Sequence, residues 1–256
     1  MARSSTAAKT DGTDMALFSN NLPAYLKDTG NEGRGNEGVG IEDLSIPRID
    51  VIQSLSPQRK KNDPAYIEGA EEGMLFNTVT GELYGTEAHF VPVMFRKEYV
   101  IWRKRDQGGG FRGSFPSIND AQAAKAELDD GDQCEIVDTA QHFSLLIKLG
   151  NDGNPVIEEV VLSMAKTKMK ASRQLNTLAK LAGGDRFSRV YKLIAQEASN
   201  DKGDFYTFAI KQMGYAPEAV YRAAEGLYEQ ITSGLVDVNY SDATTSDDET
   251  ISDEGF

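Results

Sequence analysis

Apolar and polar residues alternate with a period of two through much of the middle of this chain, which predicts a domain built mainly from β-strands. Ile49, Val51 and Ile52 mark a short strand, and residues 73–85 read as a hairpin turning at Thr80 and Gly81. Residues 87–105 form the longest strand-like run, with His89, Val91, Val93 and Phe95 on one parity and Phe90, Pro92 and Met94 on the other. Apolar side chains on both parities predict burial of both faces near the start of that strand. A glycine-rich loop at 108–113 and a short helix at 118–128 follow, then strands at 133–138, 142–149 and 156–164, the last two joined by a turn at 151–155. Residues 166–182 carry Met169, Leu175, Leu178, Ala179 and Leu181 at helical spacing and stop at Gly183 and Gly184. Two more strands, 186–197 and 204–212, are joined by a hairpin turn at 199–203, and Pro217 opens a last helix that runs to about Ser233.

This order predicts a β-rich α+β fold over residues 46–236, with an OB-fold-like five-stranded barrel, an inserted helix before the final strand pair, and extensions. Residues 1–45 break the pattern. They are rich in Ser, Thr, Gly and Asn, repeat Gly-Asn-Glu-Gly at 30–33 and 35–38, and read as a flexible arm. Within the arm, 15–27 is amphipathic and suits a short helix packed on the body or on a neighbouring subunit of a homo-oligomer.

Composition changes the picture at the C-terminal end. Residues 237–256 contain seven acidic residues and no Lys or Arg, and end in Asp-Glu-Gly-Phe. So polar a run cannot bury enough apolar surface to offset the entropy of ordering, so it is expected to be a disordered tail. An aromatic ring beside a free carboxylate on an acidic lead suits docking into a small basic pocket of another protein. Asp247, Asp248, Glu249, Asp253, Glu254 and Phe256 are the candidate docking residues. The same tail could instead lie over a basic groove on its own body and imitate a line of phosphates.

The tail also corrects the net charge of -13, which by itself would argue against nucleic acid. With the tail and the first 46 residues set aside, residues 47–236 hold 23 basic and 26 acidic residues. A single cysteine, Cys134, excludes an intramolecular disulfide and a cysteine zinc cluster, and two histidines, His89 and His142, leave little for histidine chemistry. No cofactor or metal is expected. No apolar run approaches the ~18 residues of a membrane span, and no signal-peptide core is seen at the N-terminus, so a cytoplasmic location in a bacterial host is expected.

Two segments of the body concentrate cations beside aromatic residues. The first holds Arg96, Lys97, Tyr99, Trp102, Arg103, Lys104, Arg105, Phe111 and Arg112. The second, 164–192, has eight cations against Asp185 alone; Lys166, Lys168, Lys170, Arg173, Lys180 and Arg189 are its candidates, with Tyr206 on a neighbouring strand. Lys166, Lys170 and Arg173 share helical spacing, with Lys168 to one side. Cations that follow phosphates and aromatic faces that stack on bases form a platform for single strands, indifferent to sequence. The glycine-rich loop lacks the following helix that a dinucleotide site needs. Asp129, Asp130, Asp132 and Glu135 lack calcium-loop spacing and read as an acidic turn, although a metal-dependent nuclease would use such a cluster.

The ending Ser252-Asp-Glu-Gly-Phe256 resembles the bacteriophage single-stranded DNA-binding proteins, as do Ile46-Pro-Arg-Ile, Gly73-Met-Leu-Phe-Asn-Thr-Val-Thr-Gly-Glu, Val91-Pro-Val and Val100-Ile-Trp-Arg103. The resemblance implies an OB-fold and an acidic tail ending in an aromatic residue. It further implies a non-enzymatic coat on single-stranded DNA in phage replication, recombination or repair, with the tail recruiting polymerase, helicase or primase. A strand-annealing recombination protein is the alternative.

Overall fold

The computed structural model describes residues 46–150, 155–201 and 203–233, with the backbone alone at Arg105. Two long strands form the spine, β4 (Glu87–Arg103) and β6 (Cys134–Leu149) in the numbering used below, paired antiparallel from His89 opposite Ile147 to Arg103 opposite Cys134. β7 (Pro155–Ala165) pairs with the outer side of β6. On the other side of β4, β8 (Arg189–Asn200) pairs with Glu87 to Phe90, and β5 (Phe111–Phe115) pairs with Tyr99 to Trp102. β9 (Gly203–Tyr215) completes the six-stranded sheet beside β8. A second antiparallel sheet of three short strands holds β1 (Ile49–Val51), β2 (Leu75–Asn77) and β3 (Leu83–Gly85).

Among the described residues, three α-helices cover the large sheet. α2 (Met169–Ala182) packs Ala171 and Leu175 on a face made of Phe90, Leu146, Leu162 and Leu193, and the small sheet adds Ile49, Val51 and Leu75. α3 (Glu218–Thr232) lays Val220, Ala224, Leu227 and Ile231 on the opposite face, against Val91, Val93, Phe143 and Leu145. α1 (Ile118–Glu127) seats Ala121 on Ile101 and Cys134 at the far end. Cover on both sides is why β4 carries apolar residues on both parities.

The elements follow the predicted order with three differences. The strands expected at 133–138 and 142–149 are one strand, because Thr139, Ala140 and Gln141, which lie between them, are buried within the sheet like the His142 and Ser144 that follow. Part of the expected 108–113 loop is β5. The second helix begins at Met169, after a 3-10 turn at Lys166–Lys168.

No ladder joins β7 to β9 among the described residues, so the fold is β-rich α+β with an open sheet. Residues 47–53 nevertheless touch both edges. The Val161 N–H donates to the Pro47 carbonyl at 2.9 Å on the β7 side. On the β9 side the Gln53 amide does what a strand would do, donating to the Tyr206 carbonyl and accepting from the Tyr206 N–H, each at 2.8 Å. Further along β9, Gln174 of α2 donates to the Ile210 carbonyl at 3.1 Å. Side-chain amides thus occupy edge groups that would otherwise template pairing with another chain. The arm and the acidic tail, with its candidate docking residues, lie outside the described residues.

Candidate nucleic-acid interface

Four cations of the first basic segment already face carboxylates, three of the four meeting one that another part of the chain brings. Lys97 on β4 lies 3.0 Å from Asp138 on β6, which holds its ammonium pKa above the usual value. Arg103 and Arg112 converge on Asp130 at 3.5 and 2.9 Å, and the Arg112 hydrogen bond holds the Asp130 carboxyl below the usual range. Arg103 also donates to Gln133. Arg96 sits 3.8 Å from Glu98, with its guanidinium over the Phe143 ring. Trp102 is half-buried and meets Phe111 edge-on, with ring centroids 5.7 Å apart. Tyr99 packs with the α1 cluster. Lys104 is exposed.

Those pairings also account for the acidic turn. Asp130 faces two guanidinium groups and Glu135 lies 2.9 Å from Lys166. Among the described residues no group of His, Cys, Asp or Glu is arranged to hold a metal ion.

The second segment behaves differently. The chain leaves β7 at the sheet edge and turns sharply into α2, and Lys166 takes up the reversal with a φ of 47°, the one positive value at a non-glycine residue among those described. Its ammonium points back to Glu135, the ladder partner of Trp102, and there the two basic segments meet. Lys168 is only 3% exposed; its Nζ lies 2.8 Å from Asp50 and 4.9 Å from the centre of the Phe208 ring. A cation enclosed in this way holds α2 to the small sheet and is not presented to a phosphate, contrary to the sequence reading. Lys170, Arg173 and Lys180 are exposed and have no ion pair among the described residues.

A buried polar network fixes the helix that carries them. Arg186 donates to Nδ1 of His142 at 2.9 Å and to Oδ1 of Asn176 at 2.8 Å. Because a guanidinium can only donate, His142 accepts at Nδ1 and donates from Nε2 to Oγ of Ser172, 2.8 Å away. Burial first, and the nearby Arg186 charge second, push the His142 pKa down to about 3, so the ring is neutral. Burial also lowers Arg186 to about 10. Arg189 lies 3.6 Å from the centre of the exposed Tyr215 ring.

Beside α2 a groove of about 350 Å³ runs between its first turns and the β8–β9 hairpin. Thr167, Lys170, Gln174, Gln196, Phe205 and Thr207 are among the residues that line it. Oγ1 of Thr167 is buried there without a hydrogen-bond partner. Tyr206, the aromatic candidate on β9, is half-buried, and its ring lies where a Cβ on Gly73 would stand 2.7 Å away. Strand alternation places its neighbour Phe205 at the groove instead. The opposite parity of Phe205 to Tyr206 and Phe208 was the sequence signal for this; nothing in the sequence marked Thr167, Gln174 or Gln196.

The Pam3 phage gp34-like protein family matches residues 13–237. The chain belongs to that family. It is therefore a phage protein, and the match covers every described element while stopping where the acidic ending begins. No curated protein and no solved structure matches the chain. Among the described residues, no helix is long and apolar enough to cross a membrane.

Proposed function

We propose that this phage protein binds single-stranded DNA without sequence preference, in replication, recombination or repair, and that residues 237–256 dock a replication protein such as a polymerase, helicase or primase. The observation that carries this reading is the exposed cationic face of α2. In a chain of net charge -13, Lys170, Arg173 and Lys180 have no ion pair among the described residues, whereas ten other body cations do. Lys170 also lines a groove that presents an aromatic side chain. The interface so defined leaves out Lys168 and Tyr206, which are packed inward, and gives Trp102, Phe111 and the paired cations of 96–112 a secondary place near Lys166. Five long antiparallel strands, with a helix before the last pair and residues 47–53 touching both sheet edges, support an OB-like curl of the sheet.

Anisotropy titrations of labelled single-stranded and duplex oligonucleotides at several salt concentrations test the proposal. Three phosphate contacts from Lys170, Arg173 and Lys180 predict a log–log salt slope with a magnitude of about 2 for single strands, from ~0.7 per contact. Equal affinity for duplex across the salt series, or absence of binding at low salt, overturns it.

A further inference from the structure

We propose that the groove between α2 and the β8–β9 hairpin takes one unstacked nucleobase of a bound strand, with the ring of Phe205 as its stacking face and the Thr167 hydroxyl meeting the base edge. The inference rests on the single-strand reading above and names the part of the surface that touches bases.

Four observations support it. The groove's volume, about 350 Å³, falls at the lower end of the ~300–1,000 Å³ typical of small-ligand sites. Phe205 is half-buried in its wall and, unlike Tyr206 and Phe208, does not belong to the core under α2. Thr167 lines the groove and its Oγ1 is buried with no partner, which costs free energy; rotation about χ1 on binding would turn the hydroxyl to the base edge and match it. Thr167 follows directly on Lys166, whose left-handed backbone is the kind of strain that collects at ligand clamps.

The chemistry of the lining fits a base better than an anion. A hydroxyl both donates and accepts, so it can pair with either kind of group on a base edge, and this is compatible with binding any sequence. The Gln196 side chain adds an amide, while the Gln174 amide N–H is already committed to the Ile210 carbonyl. The groove has one carboxylate, Glu197, and one cation, Lys170. Glu197 disfavours a phosphate within the groove, and the exposed ammonium of Lys170 is suited to the phosphate next to the bound base.

The test compares a short oligothymidine with the same strand carrying abasic sites, each bound to the full chain and to Phe205→Ala and Thr167→Val. For wild type, loss of the bases should weaken binding about tenfold or more, the scale of one stacked base. Phe205→Ala should bring the two strands toward equal affinity. Thr167→Val, close to isosteric, should weaken binding of the normal strand several-fold and leave the abasic strand unchanged, while the melting temperature rises because the unmatched hydroxyl is gone. That variant keeps the test valid if Phe205→Ala fails to fold. Undiminished discrimination in Thr167→Val and in folded Phe205→Ala overturns the groove assignment but leaves single-strand binding standing. Lack of binding of either strand by wild type overturns the single-strand reading and the groove together.

Discussion

The buried imidazole of His142 makes the anchoring of α2 sensitive to pH, by an amount that follows from its pKa. In the folded protein that pKa lies at about 3, and in the unfolded chain it returns to 6.5. As pH falls, the unfolded chain therefore takes up a proton first, and the folded state loses stability. The contribution is complete above pH 6.5 and is lost progressively from there down to about 3. At 1.36 kcal/mol per pKa unit, moving from pH 7.5 to 5.0 should remove about 2 kcal/mol. Denaturant unfolding followed by circular dichroism at a series of pH values measures this directly. Other groups titrate as well: the Asp130 carboxyl, with its pKa lowered by Arg112, contributes stability that is lost only below the ordinary carboxylate range. The comparison that isolates the imidazole is His142→Gln, whose amide can still accept and donate. It should be less stable at pH 7.5 but show a flatter dependence between 7.5 and 5.0. If wild type and His142→Gln have the same slope over that window, the buried neutral imidazole is not the source, and the argument that it pins Ser172 and Arg186 fails.

Two further outcomes follow from packing. Gly73 and Gly85 both have positive φ, 81° and 74°, but a Cβ on Gly73 would stand 2.7 Å from the Tyr206 ring, whereas one on Gly85 meets nothing within 4 Å. Gly85→Ala should thus cost about 1 kcal/mol for the backbone alone, and Gly73→Ala ~1–3 kcal/mol more for the clash, read from denaturant midpoints; equal costs would refute the contact. Lysines two residues apart should also separate stability from binding. Lys168→Met leaves Asp50 without its 2.8 Å partner and should cost about 3 kcal/mol of stability, while Lys170→Ala with Arg173→Ala should leave the melting temperature nearly unchanged and lower the salt slope by ~0.7 per lost contact. A destabilised Lys170→Ala, Arg173→Ala variant, or a slope that does not move, would contradict the assignment of these residues to an exposed binding face.

The class of fold and the order of its parts were legible in the residue pattern. Period-two alternation marked β4, β7, β8 and β9, helical spacing with a Gly183 and Gly184 stop marked α2, and apolar residues on both parities of β4 announced cover on both faces. These signals are local, because a strand or a helix imposes its period on the residues that form it. Local signals also misled. Thr139 and Gln141 looked like a break in β6 because polarity along the chain says nothing about a helix that packs from 30 residues away, where Ser172 accepts from the adjoining His142. Lys168 and Lys170 are equivalent by composition, yet one is enclosed by Asp50, 118 residues earlier, and the other faces solvent. The same holds for Arg112 against Asp130 and Lys97 against Asp138, where the register of neighbouring strands decides which charges cancel. Charge and aromaticity are properties of residues and can be read from the chain. Whether they are available to a partner depends on which distant side chain arrives first, and only the tertiary structure decides that.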